Sequence, residues 1–324
     1  MCTALNKTNA SFHYFGRNLD LNYPFSESII VLGKKRTIEF KTLGKMKEHH
    51  CIYGVGIIKD EYPFFFDCVN QYGLSFAGLN FPNNAFFFPE EKNKLNLAPY
   101  ELPLYFLGKY KSVKEIKEDL KRLNIADIPY SKDLPLATLH YMIADENECI
   151  VLEQMKDGLH IHDDIFNVLT NNPPFDYHKI NLSNYMHITN REIQNNILKS
   201  ADLEIYGKGM GAISLPGDSS PASRFIKATF LLNNIDFTSD NDFNIQQMFH
   251  VLNNVSSLKG EIILNDESRE YTVYSDIYDT KNKTVYIRSY EDSTIEKHFL
   301  TKEEENSAEL LSFKVSHQPS YKNI

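Results

Sequence analysis

At 324 residues, 42% apolar and 24% charged, the chain has the balance of a folded globular protein rather than a disordered one. Its formal net charge of -9 argues against a nucleic-acid partner, because binding phosphate needs concentrated Lys and Arg. The longest apolar runs, 62–66 and 85–89, are far shorter than the roughly 20 residues that span a bilayer, and residues 1–7 lack a basic stretch leading into an apolar one, so a cytoplasmic protein without membrane insertion is expected.

The first half reads as strands. Residues 3–6 and 12–18 flank the turn-prone Lys7-Thr8-Asn9-Ala10, which predicts an opening hairpin with Cys2 at its free end. Further strands are expected at 28–32, 38–40, 51–58, 64–69 and 74–79, several too apolar for a sheet with one wet face. Such runs suit a sheet packed between a second sheet and a layer of helices. A helix is predicted from Ser112, where Ser112 and Glu115 form a capping box and Val113, Ile116, Leu120 and Leu123 recur at helical spacing. Strands follow at 138–144, 149–154 and 167–170, then Asn-rich loops over 171–196. Helices are expected at 223–232 and 242–253 and a closing hairpin at 271–278 and 284–290. This is an α+β order without repeats or linkers, read as one domain over 1–324 with a tail that trails loosely after about residue 302.

Four cysteines, Cys2, Cys51, Cys68 and Cys149, are widely spaced and without a C-x-x-C pair, which disfavours a zinc site and a disulfide scaffold. Three of them read as reduced core residues. Cys2 is different if Met1 is removed, for the residue then carries a thiol and a free α-amine. An α-amine titrates near about 8, so it can take the thiol proton and later return it to a leaving amine. Taken alone, Cys at position 2 reads more readily as incidental, with the initiator Met kept, because one residue is not a motif. Phe15-Gly16-Arg17-Asn18-Leu19-Asp20 changes that balance, because an antiparallel return brings Arg17 and Asp20 back beside Cys2. Arg17 would set a fixed positive charge near the developing thiolate, and Asp20 would orient the amine by accepting its protons.

Cys2-Thr3-Ala4, the 15–20 cluster, Gly78-Leu79-Asn80-Phe81-Pro82, Leu169-Thr170-Asn171-Asn172-Pro173 and the 215–225 run Leu-Pro-Gly-Asp-Ser-Ser-Pro-Ala-Ser-Arg-Phe closely resemble, in order, the choloylglycine hydrolase family of bile salt hydrolases and penicillin V acylases. Phe249-His250-Val251-Leu252 and Tyr271-Thr272-Val273-Tyr274-Ser275 extend the match. The resemblance implies the four-layer αββα sandwich of the N-terminal nucleophile hydrolases, removal of Met1, and a cofactor-free amidase that acylates Cys2. Carried over by position, Cys2 is nucleophile and base, with Arg17 and Asp20 in the roles above. Asn80 and Asn171 supply hydrogen bonds to the oxyanion and the N-terminal amine, and Arg224 holds the charge network. It also implies that Leu19, Lys59, Phe64, Phe66, Tyr130 and Leu134 line the substrate pocket, and that the protein is a homotetramer.

Asn80 in Gly-Leu-Asn leans toward bile salts, since penicillin acylases of the family tend to carry Tyr there. Lys59 and Tyr130 make the expected pocket loops more polar, and the chain has no Trp where members commonly have it, at positions matching 102–107 and 141. Penicillin V or another N-acyl amide is therefore the second substrate class, and a noncatalytic small-molecule binder the reading outside enzymes. His160 and His162 share a strand face as zinc ligands could, but no third ligand lies near them in sequence, and no metal is expected. The 207–211 run Gly-Lys-Gly-Met-Gly lacks the ending of a phosphate loop and reads as a flexible connection.

Overall fold

Residues 1–322 are described by a computed structural model in which two antiparallel sheets face each other and helices cover both outer sides. In the first sheet Val168–Leu169 pairs with β1 (Cys2–Thr8), followed by β2 (His13–Leu21), the long strand Arg269–Asp279, Thr284–Ser289 and Glu296–Phe299. The second runs Gly158–Asp163, Cys149–Met155, Leu139–Ala144, Ser75–Asn80, Tyr62–Asn70, Ile52–Lys59, β3 (Ser28–Leu32) and Leu310–Lys314. Contacts between the sheets are direct: the Val55 amide donates to the Tyr278 hydroxyl at 3.1 Å, and the Tyr53 and Tyr278 rings lie 6.1 Å apart.

The continuous apolar strands are buried on both sides. In β3, Ile29 and Val31 join the core shared by the two sheets, whereas Ile30 and Leu32 join the core under α1 (Leu102–Lys109) and α2 (Val113–Leu120). The period of two in side-chain direction makes a five-residue strand apolar throughout once both faces are covered. Cys51, Cys68 and Cys149 are free and buried, as expected for core residues.

Several elements differ from the sequence reading. α1 went unrecognised because its residues 102–108 are all buried, and a helix apolar on every side has no 3.6-residue stripe to detect. α2 ends at Leu120; Leu123 belongs instead to a short strand, Leu123–Ile125, parallel to Leu95–Leu97. At its start the Ser112 hydroxyl accepts the Glu115 amide at 3.4 Å, while the Glu115 carboxylate takes the Lys111 amide rather than closing the box on Ser112. The Asn-rich stretch holds a helix, α3 (Phe175–Leu182), built on a buried Glu153 carboxylate that accepts the first helical amide. α4 (Pro221–Asn234) starts earlier than predicted, with Pro at N1 and the Ser220 hydroxyl capping the Ser223 amide. α5 (Asn241–Asn253) is capped by Asp240. The first part of the tail is folded: residues 302–305 form one helical turn with a full Thr301/Glu304 capping box, and Leu310–Lys314 becomes the edge strand beside β3, while the last two residues lie outside the described ones. Within the 207–211 run, Gly209 has a positive φ of 79° and leads into a short 3-10 turn at Met210–Ala212.

Candidate active site

The hairpin register sets the site. Cys2 pairs with Leu19 and Ala4 with Arg17, so Arg17 lies diagonally across the ladder from Cys2 on the same face. Gly16 allows this close packing, since a Cβ there would meet the Asp276 carbonyl at 2.6 Å. Asp20 faces the other way, toward the helices. A register shift between Thr272 and Tyr274 brings the Thr272 hydroxyl onto Asp20 Oδ1 at 2.7 Å.

On the inner side Arg17 is fully buried and donates from Nη1 to the Phe66 carbonyl at 2.9 Å, with Asp67 Oδ2 at 3.4 Å. Asp67 is itself held by the hydroxyls of Tyr274 and Tyr278, each at 2.5 Å. Arg17 Nε and Nη2 are buried without protein partners among the described residues. Burial opposes the Arg17 charge, but Cys2 first, then Tyr274, Asp67 and Asp276, hold it protonated and raise its pKa above the ordinary guanidinium value. Burial, and then repulsion from Asp67, keeps the Asp276 carboxyl well above the carboxylate range.

On the helix side Arg224, in the second turn of α4, is buried and uses its whole fork. Nη1 donates to the Cys2 carbonyl at 2.5 Å and to Thr3 Oγ1 at 2.6 Å, Nη2 to Asn171 Oδ1 at 2.8 Å, and Nε to the Ser219 carbonyl at 2.9 Å. Asn171 is the pivot. Its Oδ1 also accepts the Cys2 backbone N–H at 2.7 Å, and its Nδ2 donates to the Asn80 carbonyl at 2.7 Å. Asp20 Oδ2 lies 4.0 Å from Arg224 Nη1 and, though buried, accepts no hydrogen bond among the described residues. Met1 is present; its ammonium donates to the Asp20 carbonyl at 2.9 Å and pairs with Glu270. Burial holds that amine below its ordinary value, while the nearby Cys2 and Asp20 pull it back up.

Five of the expected catalytic residues, Cys2, Arg17, Asp20, Asn171 and Arg224, thus surround the first peptide units, and Asn80 joins through its carbonyl while its side chain is exposed. The expected lining residues divide. Leu19 is the cross-strand partner of Cys2, and Phe66, packed on Phe25 with ring centres 5.5 Å apart, offers its carbonyl to Arg17. Phe64 and Tyr130 instead form an aromatic cluster with Tyr62 and Tyr100. Tyr62, Tyr100 and Tyr130 also border a cavity of about 440 Å³ together with Arg36 and Lys41, and Cys2 does not line it. Lys59 is exposed at a strand end, next to the positive-φ turn Asp60–Glu61, and Leu134 is half-buried in the loop after Tyr130. His160 and His162 do share a face, their rings stacked 6.3 Å apart, and His162 turns toward Glu153 at 3.5 Å.

Asp67, Tyr278 and Glu270 around the site were not singled out from the sequence, and Thr272 entered only within the 271–275 match. Asp67 alone carried a signal, a single carboxylate inside the apolar run 64–69.

The sequence was compared with known proteins. Residues 2–313 match the linear amide C–N hydrolases, choloylglycine hydrolase family. The chain is 37% identical over 322 residues to a bile salt hydrolase/transferase of Lactiplantibacillus plantarum, covering 99% of both chains. It superposes with a TM-score of 0.91 and 34% identity on the C2A mutant of the conjugated bile acid hydrolase from Clostridium perfringens, over 100% of each chain. Penicillin V acylase from Agrobacterium tumefaciens shares the fold, with a TM-score of 0.73 at 19% identity over 93% of this chain and 87% of that one. The four-layer sandwich is thus that of a linear amide C–N hydrolase, and the chain belongs to the choloylglycine hydrolase family.

Proposed function

We propose that the protein cleaves the amide of conjugated bile salts, releasing glycine or taurine, with Cys2 as nucleophile after Met1 is removed. The observation that carries the reading is the Cys2 nitrogen held at 2.7 Å by Asn171 Oδ1, with Arg224 bracing both. Once Met1 leaves, that nitrogen becomes an amine, and the buried, unpartnered Asp20 Oδ2 is an acceptor left over for the network it joins.

In the reaction the thiol proton passes to the Cys2 amine while sulfur attacks the amide carbon. The tetrahedral oxyanion accepts hydrogen bonds in the region of Asn80 and Asn171, an interaction worth about 3 kcal/mol per donor in acyl transfer. Collapse breaks the C–N bond as the amine returns its proton to the departing nitrogen, leaving a thioester. Water then attacks with the amine again as base and restores the thiol. Arg17 supplies positive charge on the thiol side, Arg224 fixes the backbone of the nucleophile, Leu19 and Phe66 present apolar surface beside Cys2, and Phe64, Tyr130 and Leu134 meet the far end of the acyl group, with Lys59 at the rim for an acidic conjugate. A homotetramer in the cytoplasm accompanies this reading. Among the described residues no helix is long and apolar enough to cross a membrane.

The test is amine release from glycocholate, taurocholate and penicillin V by the processed protein, with Cys2→Ala as control. Cleavage of a conjugated bile salt that Cys2→Ala loses supports the reading, and a variant keeping a tenth of the wild-type rate refutes Cys2 as nucleophile. Cleavage of penicillin V alone moves the substrate to another N-acyl amide, a reading favoured by the tyrosine-rich rim of Tyr62, Tyr100 and Tyr130. No cleavage of any of the three, with a mass that shows Met1 retained on the purified protein, favours the noncatalytic binder.

A further inference from the structure

We infer that a buried ion pair, His140 with Glu153, acts together with His178 as the positioning element that fixes the Thr170–Asn171 turn and so the acceptor holding the Cys2 amine. The inference rests on the reading of Cys2 above. Asn171 reaches the site from the chain just beyond Val168–Leu169, where the ladder with β1 has ended. Its placement depends on what grips that backbone from behind.

Two histidines do so. His140 Nε2 lies 2.9 Å from the Thr170 carbonyl and its Nδ1 3.0 Å from Glu153 Oε1. Both partners are acceptors, so the ring is placed to donate from each nitrogen and bridges the Thr170 carbonyl to the Glu153 carboxylate. Glu153 also accepts the Phe175 amide at 3.0 and 3.1 Å, which anchors the start of α3 immediately after the turn. The His140 ring lies flat on Phe81, 4.3 Å between centres and 6° between planes, and Phe81 follows Asn80, whose carbonyl takes the Asn171 side-chain amide. From α3, His178 Nε2 donates to the Asn171 carbonyl at 2.8 Å while its ring stacks on Phe225. Burial lowers the His178 pKa, which favours the neutral tautomer with its proton on Nε2.

His140 and Glu153 have no solvent exposure. A buried pair of this kind is rarely more stable than an apolar pair of the same volume, and its value lies in the geometry it imposes. Here it aims an N–H at Thr170 and a carboxylate at Phe175 from one rigid point, on both sides of Asn171. The charged groups around it are His162, 3.5 Å from Glu153 Oε2, Asp176, 3.6 Å from His162, Lys179 acting on His162, and Arg224 acting on His178.

The experiment compares His140→Gln, His140→Ala, Glu153→Gln and His178→Phe with the wild type and Cys2→Ala, measuring kcat, KM and the pH profile of kcat/KM for glycocholate, with the thermal midpoint of each. Misplacing a reacting group by about 1 Å costs on the order of 100-fold, so kcat is expected to fall about 10- to 100-fold in the His140 and Glu153 variants. KM is expected to stay within about twofold and the acid limb of the profile to move, because the protonated amine has lost an aligned acceptor. Gln keeps an N–H for Thr170 and recovers part of what Ala loses. His178→Phe keeps the stack on Phe225 and removes only the donor to Asn171, so it tests the idea even where the ion-pair variants fail to fold. Folded variants, His178→Phe included, with wild-type kcat and pH profile would overturn the inference while Cys2→Ala stays inactive. Full activity of Cys2→Ala would overturn the nucleophile reading instead.

Discussion

Replacing Asn171 by Ala removes three hydrogen bonds at once: from the Cys2 nitrogen at 2.7 Å, from Arg224 Nη2 at 2.8 Å, and to the Asn80 carbonyl at 2.7 Å. Hydrogen bonds to charged groups contribute about 1.5 to 3 kcal/mol each. The bond to Arg224 bears mainly on folding, so stability should drop by about 2 kcal/mol. The bond to the amine bears on the reaction, and about 3 kcal/mol there corresponds to a roughly 100-fold loss in kcat. Amine release under saturating conjugate measures the second quantity and denaturant unfolding the first. Asn171→Asp adds a discriminating arm. Its carboxylate favours the protonated amine, so the acid limb of kcat/KM should move to higher pH. Asn171→Ala with more than a tenth of wild-type kcat, or Asn171→Asp with an unmoved limb, refutes the role given to this side chain.

The remaining expectations concern specificity and stability. Asn80→Tyr should shift preference from conjugated bile salts toward penicillin V, and an unchanged ratio of the two kcat/KM values removes Asn80 from the specificity argument. Phe225→Ala empties the contact among Phe166, Phe175 and His178 under α4, and should cost about 3 to 5 kcal/mol in urea unfolding. Burial pushes the Glu153 carboxyl up, but the hydrogen bond from His140 and the nearby His162, 3.5 Å away, bring it down to about 2 from its ordinary 4.5. A depressed carboxyl stabilises the fold above its unfolded value, and that contribution is lost as pH falls from 4.5 toward 2. Glu153→Gln should therefore close its stability gap to wild type across that window; a gap that stays constant contradicts the ion pair.

Much of the site could be read from residue order because its chemistry is local. Cys2, Arg17 and Asp20 lie on one hairpin, and a hairpin's register follows from its turn. Asn171 and Arg224 were placed only by resemblance, since nothing within the chain's periodicity says that α4 packs behind β1. The ion pairs under the site were missed for a different reason. Asp67, His140 and Glu153 sit singly within apolar strands, where a lone polar residue looks like an interruption, although such a residue must find a buried partner from another strand. α1 and α3 escaped for opposite reasons, the first having no polar face and the second no strong apolar one.

The place of Met1 has a practical side. Its ammonium is half-buried, donating to the Asp20 carbonyl and paired with Glu270. A purification tag fused ahead of Met1 would have to exit through this spot and would keep the Cys2 nitrogen an amide, whereas the chain after Leu310–Lys314 crosses back to the first sheet, where Ser316 bonds Glu296 and Ser320 bonds Asp292, and comes out exposed at Tyr321. Recombinant material meant for assay should carry its tag at the C-terminus, and activity appearing when an N-terminal tag is cut back to Cys2 would be a chemical on-switch of one peptide bond.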